Sequence, residues 1–234
     1  QFLRRYNKIS DLNEILRCCK DLGTLQFSIL ARHGFIGRDL LLSFKEKKIL
    51  NFKDIENFQS SVKTITSEML YDLKYMNKKI FMSKYGHLRP GTYDIQSKRY
   101  DQHKGLSLLK NISNKRKVNF KINQRKKNEI NKLIKKNNFK IKSADELLTY
   151  IKKTIIAREY AKFIFTRSIS QILEIIANHG KKFKINREQL SHIPISFFLD
   201  KSKYLNRKKM LNTSRLNEKK YLASKSLRLP QVIY

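Results

Sequence analysis

Turn-forming residues are scarce in this sequence. Its 234 residues include only 7 glycines and 3 prolines. A many-stranded sandwich or barrel requires a turn roughly every 8–12 residues, which this supply does not provide. The hydrophobic fraction of 40% is nevertheless enough for one large core or two small ones. We therefore predict an all-α, mainly helical chain that forms an irregular multi-helix domain with a long basic loop.

Long apolar runs are also missing from the sequence, and its first residues show no secretory pattern. Apolar stretches such as FIFT and ISFFL are far shorter than the ~18 consecutive residues that span a bilayer. The first residues, QFLRRYNKIS, contain neither an initiator methionine nor a basic-then-apolar leader pattern. We therefore expect no membrane crossing, a cytoplasmic location and a chain that starts in the middle of a longer protein.

Metal-binding and redox motifs cannot be found among the cysteines and histidines. Cys18 and Cys19 are adjacent, and neighbours on a helix point about 100° apart, which suits neither a disulfide nor a metal site. The 5 histidines are scattered, without an HxxxH pair or a carboxylate at ligand spacing. We expect reduced, half-buried cysteines and no metal or cofactor on this chain.

Positive charge is abundant, since 52 Lys and Arg oppose 19 Asp and Glu to give a net charge of +33. Such a chain can neutralise phosphates and release counterions, so a basic helical nucleic-acid-binding protein is one interpretation. Lysine supplies 37 of the cations and is spread along the chain with many Asn and Ile, as a bias toward A- and T-rich codons also produces. Over residues 101–142, 14 cations oppose two carboxylates, and we expect only non-specific nucleic-acid binding there.

Apolar residues at helical spacing predict most of the secondary structure. The predicted helices cover residues 11–20, 24–48, 51–76, 77–85, 124–137, 143–180 and 203–225, with Gly23 and Gly180 as stops. Gly34 and Gly37 fall inside the second helix, where glycine costs about 1 kcal/mol relative to alanine, which favours close helix packing over a kink. We divide the chain into a helical subdomain (1–100), a basic loop with a short helix (101–142) and a long helix with C-terminal helices (143–234), all within one domain of a larger protein.

One segment, KYGHLRPGTYDI, carries unusually dense chemistry. Its proline fixes φ and its two glycines permit positive φ, so consecutive tight turns can gather four polar side chains: His87, Arg89, Tyr93 and Asp94. In one interpretation, Arg89 and His87 face an anionic ligand. In the other, Arg89 pairs with Asp94 and the tyrosine rings cover the core. We expect Arg89 and Asp94 to be structural, with His87 and Tyr93 nearer to an opening.

A second polar set lies on the longest predicted helix. Arg158 and Lys162 are one turn apart on the same face, which suits contact with an anion, and Glu159 can pair with Lys162 or with a distant arginine. The alternative is that these residues lock helices together. No GxxxxGK followed by Ser or Thr, GxGxxG, GxSxG or HExxH occurs, so no phosphate-binding loop, nucleophile elbow or zinc protease site is predicted and no catalytic residue is assigned.

Four segments, in order over nearly the whole chain, resemble the middle region of phosphoenolpyruvate (PEP)-utilising enzymes. FMSKYGHLRPGTYDI resembles their YGHRGPxEYD-like stretch, found in PEP synthase, pyruvate phosphate dikinase-like and rifampin phosphotransferase-like proteins. The other segments that resemble the helical region of this family are ILARHGFIGRDLLLSFKEKKIL, AREYAKFIFTRSISQILEIIANHG and REQLSHIPI. His87, Arg89, Tyr93 and Asp94 match the family stretch. The family's RGPxE becomes Arg89-Pro90-Gly91-Thr92 here, so its glutamate role does not transfer.

The resemblance implies a function for a longer parent protein. In this family, an ATP-grasp-like domain binds ATP and a swivelling domain carries a phosphorylated histidine in a TSH-like motif, while helical segments connect them or hold the acceptor. This chain has neither TSH nor an ATP-grasp glycine loop, so it resembles the helical part alone. The implied partners are the two flanking domains and a small anionic acceptor, and ATP and Mg²⁺ are implied only for the parent phosphotransferase.

Overall fold

The computed structural model of the protein describes residues 8–102 and 120–227. Over these residues the chain contains helices, turns and no strand, which confirms the predicted all-α class. The α-helices in the described ranges are α1 (Leu12–Cys18), α2 (Leu25–Glu46), α3 (Phe52–Ser60), α4 (Ile65–Tyr75), α5 (Lys78–Tyr85), α6 (Gln124–Lys136), α7 (Ala144–Lys182), α8 (Arg187–Ser191), α9 (Lys201–Tyr204) and α10 (Arg207–Lys225). Short 3-10 segments cover Ile9–Asp11, Tyr100–Gln102 and Ile195–Leu199, and a π-helical turn covers Cys19–Thr24.

Side-chain caps fix several helix starts. The side chain of Asn51 accepts a hydrogen bond from the backbone N–H of Asp54, and the Asp54 carboxylate accepts one from the N–H of Asn51. This reciprocal pair satisfies two donors that the first turn of α3 leaves unused. At α7, the hydroxyl of Ser143 accepts from the N–H of Glu146, while the Glu146 carboxylate accepts from the N–H of Lys142.

Several predicted boundaries are wrong, each for a local reason. The predicted helix 51–76 is two helices, because Thr64 is extended and its side chain caps α4 by accepting from the N–H of Ser67. Gly23 does not stop a helix, because the chain continues through the π-helical turn into α2. Gly180 lies inside α7, which ends at Lys182. The predicted last helix is divided at Asn206, whose side chain caps α10.

The described residues group into two compact units, each assembled from separated parts of the chain. The first unit comprises the described parts of Gln1–Cys19, Gly86–His103 and Thr166–Tyr234, and the second comprises those of Lys20–Tyr85 and Lys104–Phe165. The boundaries of the three consecutive segments 1–100, 101–142 and 143–234 do not coincide with these units, since α7 contributes residues to both. The predicted basic loop lies partly outside the described residues.

The core of the first unit joins α1, the C-terminal part of α7 and the helices that follow. Its buried apolar side chains include Ile15, Ile176, Leu190, Phe198 and Met210. Gly180 is needed here for close approach, because a Cβ atom at this position would lie 2.6 Å from Cδ1 of Leu190. Glycine at this point of α7 therefore serves the packing of α8 rather than the end of the helix.

The core of the second unit joins α2, α3, α6 and the N-terminal part of α7. Its buried side chains include Phe44, Phe58, Ile130 and Ile151. The two glycines of α2 confirm the predicted close packing. A Cβ atom on Gly37 would lie 2.9 Å from Oγ1 of Thr154, and one on Gly34 would lie 3.0 Å from Cδ of Arg158.

Two further findings concern the membrane and the cysteines. No helix in the described part of the chain is long and apolar enough to cross a membrane. Cys18 is half-buried and Cys19 is buried, and within the described ranges neither forms a disulfide. Cys19 is therefore more deeply buried than predicted, with 5% exposure.

Candidate functional site

The predicted dense segment becomes a closed loop of the first unit, residues 86–102, which we call the corner loop. Its two ends are joined by backbone hydrogen bonds from Tyr100 to the carbonyl of Leu88 and from Asp101 to the carbonyl of Gly86. A tight turn joins the N–H of Asp94 to the carbonyl of Gly91. No described glycine has a positive φ, so the expected use of that conformation is wrong. Gly91 instead allows close approach, since its Cβ would lie 2.9 Å from Cβ of Asp94.

Arg89 is the centre of the corner loop. Its side chain is 1% exposed and donates hydrogen bonds in two directions. Nη1 donates to the carbonyls of Asp94 (3.3 Å) and Ser97 (3.0 Å), which belong to the loop itself. Nη2 donates to the carbonyl and the hydroxyl of Ser170 and to the carboxylate of Glu174 (3.1 Å), both on α7. One buried guanidinium therefore joins the loop to the helix.

Glu174 is a buried carboxylate between two guanidinium groups. Arg187 donates to both of its oxygens (2.9 and 2.8 Å), and Gln102 donates to Oε2 (2.6 Å). Burial alone would raise the pKa of Glu174, but the hydrogen bonds from Gln102 and Arg187 and the charges of Arg187 and Arg89 outweigh it, so the pKa lies below its usual value. Glu174 is therefore an anion at neutral pH and does not act as a proton donor there.

The predicted pairing of Arg89 with Asp94 is wrong. Asp94 gives Arg89 only its backbone carbonyl, while its exposed carboxylate accepts the backbone N–H of Gln96 at 2.8 Å. The physical reason is burial, because a desolvated guanidinium is stabilised far more by a buried carboxylate than by one that water solvates. Glu174, which is 6% exposed, supplies that buried charge.

The other two predicted residues of the corner loop differ in exposure. His87 is buried, with 9% exposure, so it does not lie at an opening as predicted; its carbonyl accepts a hydrogen bond from the hydroxyl of Ser170. Tyr93 is 66% exposed, as expected for a residue at the rim. Of the four predicted residues, Tyr93 and Asp94 therefore face solvent, while Arg89 and His87 are buried.

Arg158 and Lys162 belong to the second unit. Arg158 pairs with its neighbour Glu159 at 2.8 Å, and the two side chains are 32% and 30% exposed. The methylene part of Arg158 lies against Gly34 of α2, while Lys162 is exposed. Glu159 therefore takes neither of its two expected partners, and this set contains one half-exposed guanidinium and one exposed ammonium group.

Sequence reasoning missed the residues that complete the corner loop: Gln102, Ser170, Glu174 and Arg187. One of them could have been found from the pattern. Glu174 interrupts the apolar run ILEIIA, and a carboxylate among buried positions requires a cationic partner. For Arg187 and Ser170 the sequence carries no comparable indication, because surface helices contain such residues routinely.

The corner loop is suited to hold its exposed side chains in position rather than to transfer protons. The terminal nitrogens of Arg89 are occupied by protein acceptors, and among the described residues its buried Nε has no hydrogen-bond partner. No group of His, Cys, Asp and Glu in the described ranges could hold a metal ion. The loop therefore has a braced interior, built around Arg89 and Glu174, and an exposed rim at Tyr93 and Asp94.

Comparisons of this chain with protein-family models, with curated proteins and with solved structures find no match. The resemblance to PEP-utilising enzymes therefore rests on the quoted segments themselves. Within those segments, the structure assigns His87, Arg89, Tyr93 and Asp94 to one braced loop.

Proposed function

We propose that this chain is the central helical region of a PEP-utilising phosphotransferase and contributes to acceptor binding without carrying the catalytic centre. One observation supports the proposal most: in the segment with the family resemblance, buried Arg89 joins the loop to two buried residues of α7, Ser170 and Glu174. A loop held in this way presents exposed groups in fixed positions, which lowers the ordering cost of binding a ligand.

The roles proposed for the individual residues follow from their exposure. Arg89 and His87 hold the shape of the corner loop, and Tyr93 and Asp94 offer a hydroxyl and a carboxylate to an acceptor at its rim. Arg158 and Lys162 supply positive charge on the second unit for an anionic group. The parent enzyme would work in the cytoplasm, where its flanking domains bind ATP with Mg²⁺ and carry the phosphohistidine.

The experiment that tests this proposal compares the chain with its complete reading frame. After incubation with Mg²⁺ and ATP labelled in both its β- and γ-phosphoryl groups, we expect an acid-labile phosphohistidine on the complete protein and none on this chain alone, because the chain has no triphosphate cradle. In the complete protein, Tyr93→Ala should raise the KM for the acceptor and leave histidine phosphorylation unchanged. Label on the isolated chain, or a complete reading frame without TSH and an ATP-binding loop, would contradict the proposal.

A second candidate function is nucleic-acid binding, which the exposed basic side chains of α6 favour. Arg125, Lys135 and Lys136 are all solvent-exposed on this helix. Specific binding predicts that the logarithm of the affinity falls linearly with the logarithm of the salt concentration, with a slope of about −0.9 per phosphate contact. It also predicts a preference for one nucleic-acid sequence or structure. Affinity that is equal for all oligonucleotides and lost by ~0.2 M salt would reduce this function to bulk charge.

A further inference from the structure

The second unit contains a cavity of about 460 Å³ whose lining includes none of the residues proposed above for acceptor binding. Its walls come from the C-terminal end of α3, from residues 120–122 and from the starts of α6 and α7. Binding sites for small molecules have volumes of roughly 300–1,000 Å³ and combine an apolar surface with a few polar groups. This cavity has both the size and the mixed lining.

One wall of the cavity is aromatic and firmly packed. The rings of Phe58 and Phe120 meet edge to face, with centroids 5.1 Å apart and planes at 86°. Phe58 is only 2% exposed and belongs to the core, so it holds the half-buried ring of Phe120 in place. Leu148 of α7 extends this apolar surface. A flat or apolar ligand group can rest on such a wall with little reorganisation of the protein.

The positive charge of the lining comes from three lysines: Lys121, Lys127 and Lys152. Lys127 lies 2.8 Å from Asp145, the one carboxylate of the lining. Among the residues that the structure describes, Lys121 and Lys152 form no ion pair. Within the described ranges, two cations of the lining therefore have no ion-pair partner, and positive charge focused at a concave surface attracts anions.

Helix α7 positions the polar groups on one of its faces. Asp145, Leu148, Thr149 and Lys152 follow one another at i, i+3, i+4 and i+7, so that all four face the cavity. Thr149, which is exposed, adds a hydroxyl group to the lining as a donor and acceptor of hydrogen bonds. A rigid helix thus fixes the spacing between the apolar and the cationic parts of the lining.

We propose that this cavity binds an organic anion that joins an aromatic ring to a phosphate or carboxylate, with a nucleoside monophosphate as the representative size. The ring would pack against Phe120, and the anionic group would be contacted by Lys121 and Lys152. This site lies within the second unit and does not depend on the phosphotransferase function proposed above.

The test is a calorimetric titration of the complete chain with AMP and phenyl phosphate, each compared with adenosine and with inorganic phosphate. We expect both ring-bearing phosphates to bind at least about tenfold more tightly than either separate part, because both halves of the cavity are used together. If neither binds with a Kd below about 1 mM, or if inorganic phosphate binds equally well, the proposal is overturned. Binding of oligonucleotides without binding of either ring-bearing phosphate also overturns it.

Matched variants separate this site from general positive charge. Lys121→Gln with Lys152→Gln should weaken AMP binding about tenfold or more, while Lys135→Gln with Lys136→Gln, which removes the same charge from exposed positions of α6, should change it less than about twofold. Thermal melting of both variants should match that of the original chain. Equal weakening by the two pairs would show that bulk charge attracts the ligand and would remove the basis for a site.

Discussion

Glu174→Gln is expected to lower the free energy of unfolding by about 3–5 kcal/mol, since removing one partner of a buried ion pair leaves the other charge uncompensated. Glutamine has nearly the shape of glutamate but cannot neutralise Arg89, which is 1% exposed, or Arg187, which lies 2.8 Å from the carboxylate. The expected loss should be measured by denaturant unfolding of the isolated chain near neutral pH.

Asp94→Asn is the matched control, because it removes a carboxylate from the same loop. Asp94 is exposed and gives Arg89 only its backbone carbonyl, so we expect a change within about 0.5 kcal/mol. The pKa of Glu174 is lowered in the folded chain, so its contribution is present above the ordinary range of a glutamate and is lost as pH falls through the folded pKa. The difference in free energy of unfolding between Glu174→Gln and the original chain should therefore become smaller in acid. If Glu174→Gln and Asp94→Asn lower the free energy of unfolding equally, the result would contradict the observed pairing of Arg89 with Glu174.

The helices could be predicted well because their causes are local. Apolar spacing and capping side chains act within four residues of one another, so α2, α5, α6 and α7 lie close to where the sequence predicts them. The errors occur where a local cause competes with packing. Gly23 and Gly180 have the chemistry of helix stops, but each is required where Phe165 or Leu190 comes too close for a Cβ atom.

The sequence alone locates the corner loop but does not identify the distant residues that hold it in place. Its own residues are contiguous, and their turn chemistry indicates a closed loop. Glu174 lies 85 residues from Arg89, and no periodic or capping rule connects such distant positions. Asp94 was therefore the nearest available partner by sequence, although the desolvation of Arg89 requires a carboxylate that is buried with it. Partner choice for buried charges depends on tertiary burial, which local patterns do not report.

The second unit contains a buried polar cluster between α4 and α5. Oδ2 of Asp72 accepts hydrogen bonds from the hydroxyl of Tyr85 (2.7 Å) and from Nζ of Lys84 (2.8 Å), and Lys84 also pairs with Glu68. Tyr85 is fully buried. Burial and then the hydrogen bond to Asp72 raise the pKa of Tyr85 to about 12. Burial alone would raise the pKa of Asp72, but the bonds from Lys84 and Tyr85 outweigh it and lower that pKa.

Asp72→Ala is expected to lower the free energy of unfolding by about 1–3 kcal/mol, mainly because the buried hydroxyl of Tyr85 loses its hydrogen-bond acceptor. Lys84 contributes less to this loss, since its side chain is 33% exposed and keeps Glu68. Tyr85→Phe should cost about 1 kcal/mol, and the double variant should lose less than the two single losses together, because no hydroxyl remains to be stranded. Denaturant unfolding of the original chain, the two single variants and the double variant gives the coupling energy between Asp72 and Tyr85, which should be about 1–2 kcal/mol.

Glu68→Gln serves as the control and should change the free energy of unfolding by less than about 1 kcal/mol, since Glu68 is 49% exposed. Strictly additive losses would mean that the contact between Asp72 and Tyr85 does not stabilise the second unit.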